Sequence, residues 1–290
     1  MSTMNWQSMA IPAAGVALGG FLFLYVIKDT FTTVQTPPCS GRFPSATEFN
    51  LTSGANTPVT AVELQARAGV EEWGVLENAK VSPFEGAPSP LVLKVRLPKG
   101  SSAKYQADAK KGGLSFRWMP KGMEGATSSC LRYSVYLPAG FDFGSGGELP
   151  GIFGGKGYQP ASRADGMNGL ASRLTWGVDG SGELSLQAPN ENARGVAYPL
   201  GTGSFNFRRE RWVSIEQETV LNTPGSADGV ARLWVDGDLK IENTGVVWRQ
   251  DATLALSGIV YDVWYGGAGN TSTAPSDTYL ALSPATISWK

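Results

Sequence analysis

From Leu91 to the C-terminus the chain is cut into short runs of alternating, β-branched or aromatic residues. Each run is closed by Gly, Pro, Asn or Asp, and none keeps a helical period. The predicted strands are Leu91–Leu97, Leu114–Met119, Leu131–Leu137, Ser172–Trp176, Glu183–Gln187, Trp212–Leu221, Val230–Val235, Leu254–Ser257, Ile259–Trp264, Tyr279–Leu282 and Thr286–Trp289. Asp179-Gly180 and Asp236-Gly237 supply the positive φ that hairpin turns need. With 37 Gly and 18 Pro against 17% charged residues, the composition favours tight turns over helices. Many short strands on short loops pack as two sheets, so the expected fold is an all-β jelly-roll β-sandwich over residues 59–290. A chain of 290 residues with 42% hydrophobic content is ample for one such core, and neither an internal repeat nor a second domain is visible.

The N-terminal part reads differently. Met9 to Ile27 carries no charge and is long enough to cross a bilayer as a helix. MSTMNWQS holds no Lys or Arg, and KDTFTTVQT holds no Ala-x-Ala site. Residues 1–29 are therefore expected to be an N-terminal transmembrane helix acting as a membrane anchor, the alternative being a signal peptide of a secreted protein. Residues 30–58, rich in Thr, Pro, Ser and Gly, are expected to be a linker that holds an extracytoplasmic domain off the membrane. In an oxidising compartment Cys39 and Cys130 have the option of pairing as a disulfide; the alternative is two buried thiols.

The formal net charge is -1, which supplies no basic field for nucleic acid, and any polyanion must be met locally. No histidine is present, which excludes serine–histidine and cysteine–histidine nucleophiles and the commonest metal ligand. Two cysteines do not furnish a zinc site of the usual type.

One stretch carries more than fold information. Phe141 to Gly155 reads FDFGSGGELPGIFGG. Downstream follow Ser172-Arg173-Leu174-Thr175-Trp176, Asp179-Gly180-Ser181-Gly182-Glu183-Leu184, Val220-Leu221-Asn222-Thr223-Pro224-Gly225, Leu233-Trp234-Val235-Asp236-Gly237, Trp248-Arg249 and Tyr265-Gly266-Gly267. Together, in this order and from about residue 90 onward, they resemble polysaccharide lyase family 14, the alginate-lyase-like enzymes. The resemblance implies a jelly roll whose concave face binds an acidic polysaccharide, with no cofactor.

A uronate lyase neutralises the sugar carboxylate, removes the C5 proton with a base and protonates the departing oxygen, tasks open to Arg or Gln, Lys and Tyr. The family pattern implies a Lys before Leu-Pro-Gly, a Ser-x-Arg pair and a Tyr-x-Tyr. This chain has Glu148, Ala171 and the pair Ser185 and Gln187 at those places, and only Arg173 remains. Alternation puts Arg173 on the face of its strand away from Ser172 and Leu174, expected to be the open one, where Arg173 and Gln187 meet a sugar carboxylate. The bland alternative pairs Arg173 with a neighbouring acid. Lys156 and Tyr158, beyond Gly154-Gly155, offer an amine and a phenol as substitute catalytic groups, or are simply solvated. Tyr261 and Tyr265 share a strand face and are candidates for stacking on sugars, with core packing as the alternative. The expected activity is cleavage of a uronate polysaccharide by β-elimination. The rival is a lectin-like module on the same scaffold without turnover.

Overall fold

Period-two alternation fixes which side chains of each strand share a face, and here most of the strands form two stacked sheets, the rest two small two-stranded ones. The computed structural model describes residues 36–54, 57–69, 71–103, 110–155, 162–190, 196–266 and 272–290. In chain order the strands begin with β1 (Ser45–Glu48), β2 (Thr52–Ser53), β3 (Thr57–Pro58), β4 (Ala79–Ser82), β5 (Val92–Leu97), β6 (Ser101–Ser102), β7 (Lys110–Lys111), β8 (Leu114–Trp118) and β9 (Ser128–Tyr136). They continue as β10 (Gly147–Gly154), β11 (Leu170–Trp176), β12 (Ser181–Gln187), β13 (Tyr198–Asn206), β14 (Trp212–Val220) and β15 (Gly229–Val235). The last are β16 (Asp238–Val246), β17 (Leu256–Tyr265), β18 (Thr278–Leu282) and β19 (Thr286–Trp289).

The nine-stranded sheet runs β16-β15-β14-β9-β18-β5-β4, with β19 also on β9 and β1 on β19; the six-stranded sheet runs β13-β12-β11-β10-β17-β8. Leu149, Ile152, Leu174, Leu184, Leu186 and Val263 from the smaller sheet meet Leu131, Val135, Val213, Ile215 and Leu280 from the larger in one buried cluster. Each such side chain, fully buried, stabilises the fold by roughly 1.5–3 kcal/mol. Two polar ties cross this core. Gln217 Nε2 on β14 donates to the Ser172 carbonyl on β11 at 2.7 Å, and Tyr133 Oη on β9 donates to the Pro150 carbonyl on β10 at 3.0 Å.

The described helices are short. The segment α1 (Ala61–Ala68) starts at a capping box in which the Thr60 hydroxyl accepts from the Glu63 amide and the Glu63 carboxylate accepts from the Thr60 amide; α2 (Val75–Asn78) is a single turn. No helix among the described residues is long and apolar enough to cross a membrane. The candidate span Met9–Ile27 lies outside the described residues.

The expected linker is partly sandwich. β1 pairs along β19, Phe49 and Leu51 are buried in the main core, and Cys39 is bonded to Cys130. Prolines and small polar residues hid this segment, because its few anchoring side chains are spaced too irregularly to show a period. The run read as Ile259–Trp264 and the second half of the run read as Leu254–Ser257 belong to the single strand β17, which starts at Leu256. Edge strands such as β13, with alternating glycines and mostly exposed residues, left no alternation to read.

Candidate functional site

The face of the six-stranded sheet away from the core gathers a row of polar side chains across four strands. Arg173 stands on β11 beside Glu148 of β10, Asp262 of β17 and Ser115 of β8. Its Nη1 donates to Glu148 Oε2 at 2.7 Å and to Asp262 Oδ2 at 3.2 Å, and Ser115 Oγ donates to Asp262 Oδ1 at 2.8 Å. The backbone of β10 permits this reach. Proline within a central strand removes a ladder hydrogen bond, and β10 bulges between Leu149 and Gly151, around Pro150. Gly151, the next residue, then lies opposite Arg173 on one side and Val260 on the other. A Cβ on Gly151 would fall 2.1 Å from the Ser172 carbonyl oxygen and 2.6 Å from Arg173 Cα. Only a residue without a side chain lets β11 approach this closely.

The row is buried. Arg173 and Asp262 are 0% exposed and Glu148 4%. At the β8 edge the stretch before α2 joins this sheet: the Trp73 backbone bridges to Ser115, and the Trp73 ring meets Trp264 edge-on at 5.8 Å. Arg117, on the same side, pairs with Glu71 at 3.0 Å and lies 5.9 Å from the Phe153 ring centroid. One guanidinium thus faces two carboxylates away from water. Desolvation pushes the Asp262 carboxyl above its ordinary range, opposed by the Arg173 charge and the Ser115 hydrogen bond.

That direction has a testable sign. With a folded pKa above the unfolded one, the stability Asp262 contributes is complete below the ordinary aspartate value of 3.8 and is lost as pH rises through the raised value. Asp262→Asn should therefore be at least as stable as the parent near neutrality, and its advantage should shrink on acidification. Urea midpoints of both proteins across that range check this; an advantage for Asp262→Asn that grows toward acid would contradict it.

The sequence placed Arg173 on the right face but not in its surroundings. The guanidinium is sealed and ion-paired instead of presented on an open surface, because the face is covered and two acids converge on it. Glu148 is its partner. Ser185 lies directly opposite Arg173 on β12 and is half-buried, while Gln187 lies one row further on, opposite Ala171 and 2% exposed, its amide donating to the Ser162 carbonyl. Tyr261 and Tyr265 point the other way. Tyr261 stacks on Phe116 at 4.4 Å and Tyr265 on Phe141 at 5.8 Å, both inside the main core, so neither ring is offered to a ligand. Burial raises both phenols well above the ordinary tyrosine value. Lys156 and Tyr158 lie outside the described residues. Sequence reading missed Asp262, although a lone carboxylate between Tyr261 and Val263 in an apolar run is a signal, since a buried charge demands a partner.

A family profile described as polysaccharide lyase 14 matches residues 86–283. A marine PL-14 alginate lyase from Aplysia kurodai is 26% identical with a TM-score of 0.66, the match covering 76% of this chain and 90% of that one. Alginate lyase vAL-1 from a Chlorella virus is 20% identical with a TM-score of 0.66, covering 79% and 97%. Alginate lyase Aly36B, seen as a variant in complex with alginate trisaccharide, is 19% identical with a TM-score of 0.65, covering 86% and 99%. A comparison with curated proteins gives no match. A profile match over most of the chain, on a two-sheet fold shared with these lyases, means that this chain belongs to the polysaccharide lyase 14 family.

Proposed function

We propose that this domain recognises an acidic, uronate-containing polysaccharide on the non-core side of its six-stranded sheet, and that the centre around Arg173 does not carry β-elimination. Family membership supports the ligand class. The observation that carries the second part is the pairing of Arg173 with both Glu148 and Asp262 in a sealed row. β-Elimination needs a cation available for the substrate carboxylate and a basic group near C5. Here the cation is committed to two protein carboxylates, and a carboxylate stands where the resemblance implied a Lys.

A second reading, turnover, is favoured by the family itself, with Lys156 and Tyr158 as its candidate base and acid. The two readings separate in one experiment. The full chain is incubated with alginate and with glucuronan, and the ultraviolet absorbance of an unsaturated uronate product is followed beside retardation of the protein in gels containing each polymer. Retardation without an absorbance rise supports recognition. A sustained rise establishes the lyase and overturns the assignment of the centre.

We further infer an extracytoplasmic location with residues 1–29 as anchor. The Cys39–Cys130 disulfide supports it, since such bridges persist in oxidising compartments. Protease protection of the domain in sealed membranes tests it, and a domain digested only on the cytoplasmic side would refute it.

A further inference from the structure

With Arg173 sealed, the question becomes which group on this side of the sheet reads a sugar carboxylate. Arg117 is tied to Glu71. A third arginine stands further along. Beyond the row of Gln187 and Ala171, a cavity of about 260 Å³ is lined by Ser162, Arg163, Asp165, Asn168 and Gln187 among others. Pockets for drug-sized ligands start at roughly 300 Å³, so this one suits a single sugar ring. Gln187 stands two residues along β12 from Ser185, the partner of Arg173, a displacement of about 7 Å along the strand. The cavity therefore lies beside the sealed row on the same face of the sheet.

We propose that this cavity is a subsite for one uronate residue and that Arg163 is its carboxylate reader. The inference rests on the acidic-polysaccharide reading above and names where that ligand is met. Arg163 is exposed, and its Nη2 donates to the Asn190 carbonyl at 2.7 Å, which orients the guanidinium. Among the described residues it takes part in no ion pair, in contrast to Arg173 and Arg117. A planar guanidinium fixed at one nitrogen keeps further N–H donors for a carboxylate. Asp165 is the one acid among the lining residues. Its oxygens accept from the Met167 amide at 2.8 Å, the Asn168 amide at 2.9 Å and Asn168 Nδ2 at 2.6 Å, and the two backbone hydrogen bonds chiefly hold its carboxyl below the usual range. That fixed negative charge disfavours a carboxylate on its own side of the cavity and accepts from sugar hydroxyls, which orients the ring with its acid toward Arg163. The buried Gln187 amide, held by the Ser162 carbonyl, forms part of the wall nearest the sheet.

The test uses the full chain and two probes, an oligomer of uronate and the same oligomer with its carboxyls reduced to alcohols, titrated calorimetrically. The wild-type protein should bind the first and bind the second much more weakly. Arg163→Ala should weaken binding of the uronate oligomer about tenfold or more, close to the level of the reduced oligomer, while Arg163→Lys should retain part of the affinity. Since Arg163 is exposed, the melting temperature should not move. If the wild type binds and Arg163→Ala binds equally well, or loses affinity for both oligomers alike, the subsite assignment is wrong while the general reading stands. If the wild type binds no uronate oligomer, both fall.

Discussion

Arg173→Ala is expected to cost about 3–5 kcal/mol of folding stability, the usual penalty for removing one partner of a buried ion pair. The size follows from what is left behind: Glu148 and Asp262 would face each other with their shared donor gone and with almost no access to water. Charge, rather than volume, makes the loss. A triple substitution, Arg173→Met with Glu148→Gln and Asp262→Asn, fills nearly the same space without ions and should recover most of the stability. Urea unfolding of the three proteins measures it. A loss below about 1 kcal/mol for Arg173→Ala would mean that the guanidinium does not hold these carboxylates in solution.

The disulfide carries the second large effect. Cys39 and Cys130 are separated by 91 positions, and closing a loop of that length lowers the entropy of the unfolded chain by an amount worth about 4.5 kcal/mol. Replacing both by Ser should lower the melting temperature by on the order of 10 °C in a domain of this size. The bridge does not act alone on the strap it anchors. Ser40 donates from its amide and hydroxyl to Glu216 at 2.9 and 3.0 Å, and Arg42 donates to Glu218 at 2.7 Å while lying over the Trp234 ring. These contacts persist without the bridge in the folded protein, so the substitution should act through the unfolded chain, lowering the urea midpoint and raising the slope as the unlinked chain expands. An unchanged midpoint would contradict the loop-entropy account.

Much of the fold was legible because alternation and turn residues are local. β19 matches its predicted run residue for residue, and β5, β8 and β15 differ by single residues at their ends. The face of Arg173 was legible for the same reason. Its partners were not: Glu148 and Asp262 stand 25 and 89 residues away, and no period connects residues that meet only through strand order. Nor does alternation say what covers a face. Tyr261 and Tyr265 illustrate this from the other side, since alternation put them on one face and left open whether that face met a ligand or the core. The strap from Cys39 to Phe43 escaped because one disulfide and a few side-chain contacts, with no run of apolar residues, fix it to the sheet.

These arrangements divide one side of the six-stranded sheet into a closed, ion-paired centre and a cavity that holds an arginine outside any described ion pair. A polyuronate attracted to that cavity binds partly through its charge, and such attraction weakens as salt screens it. Calorimetric titration of the full chain with a uronate oligomer at low and at high ionic strength tests this most directly. The expected result is measurable binding that falls with added salt and is not matched by a neutral oligosaccharide. Equal affinity for the neutral sugar, or no heat with any uronate, would contradict it.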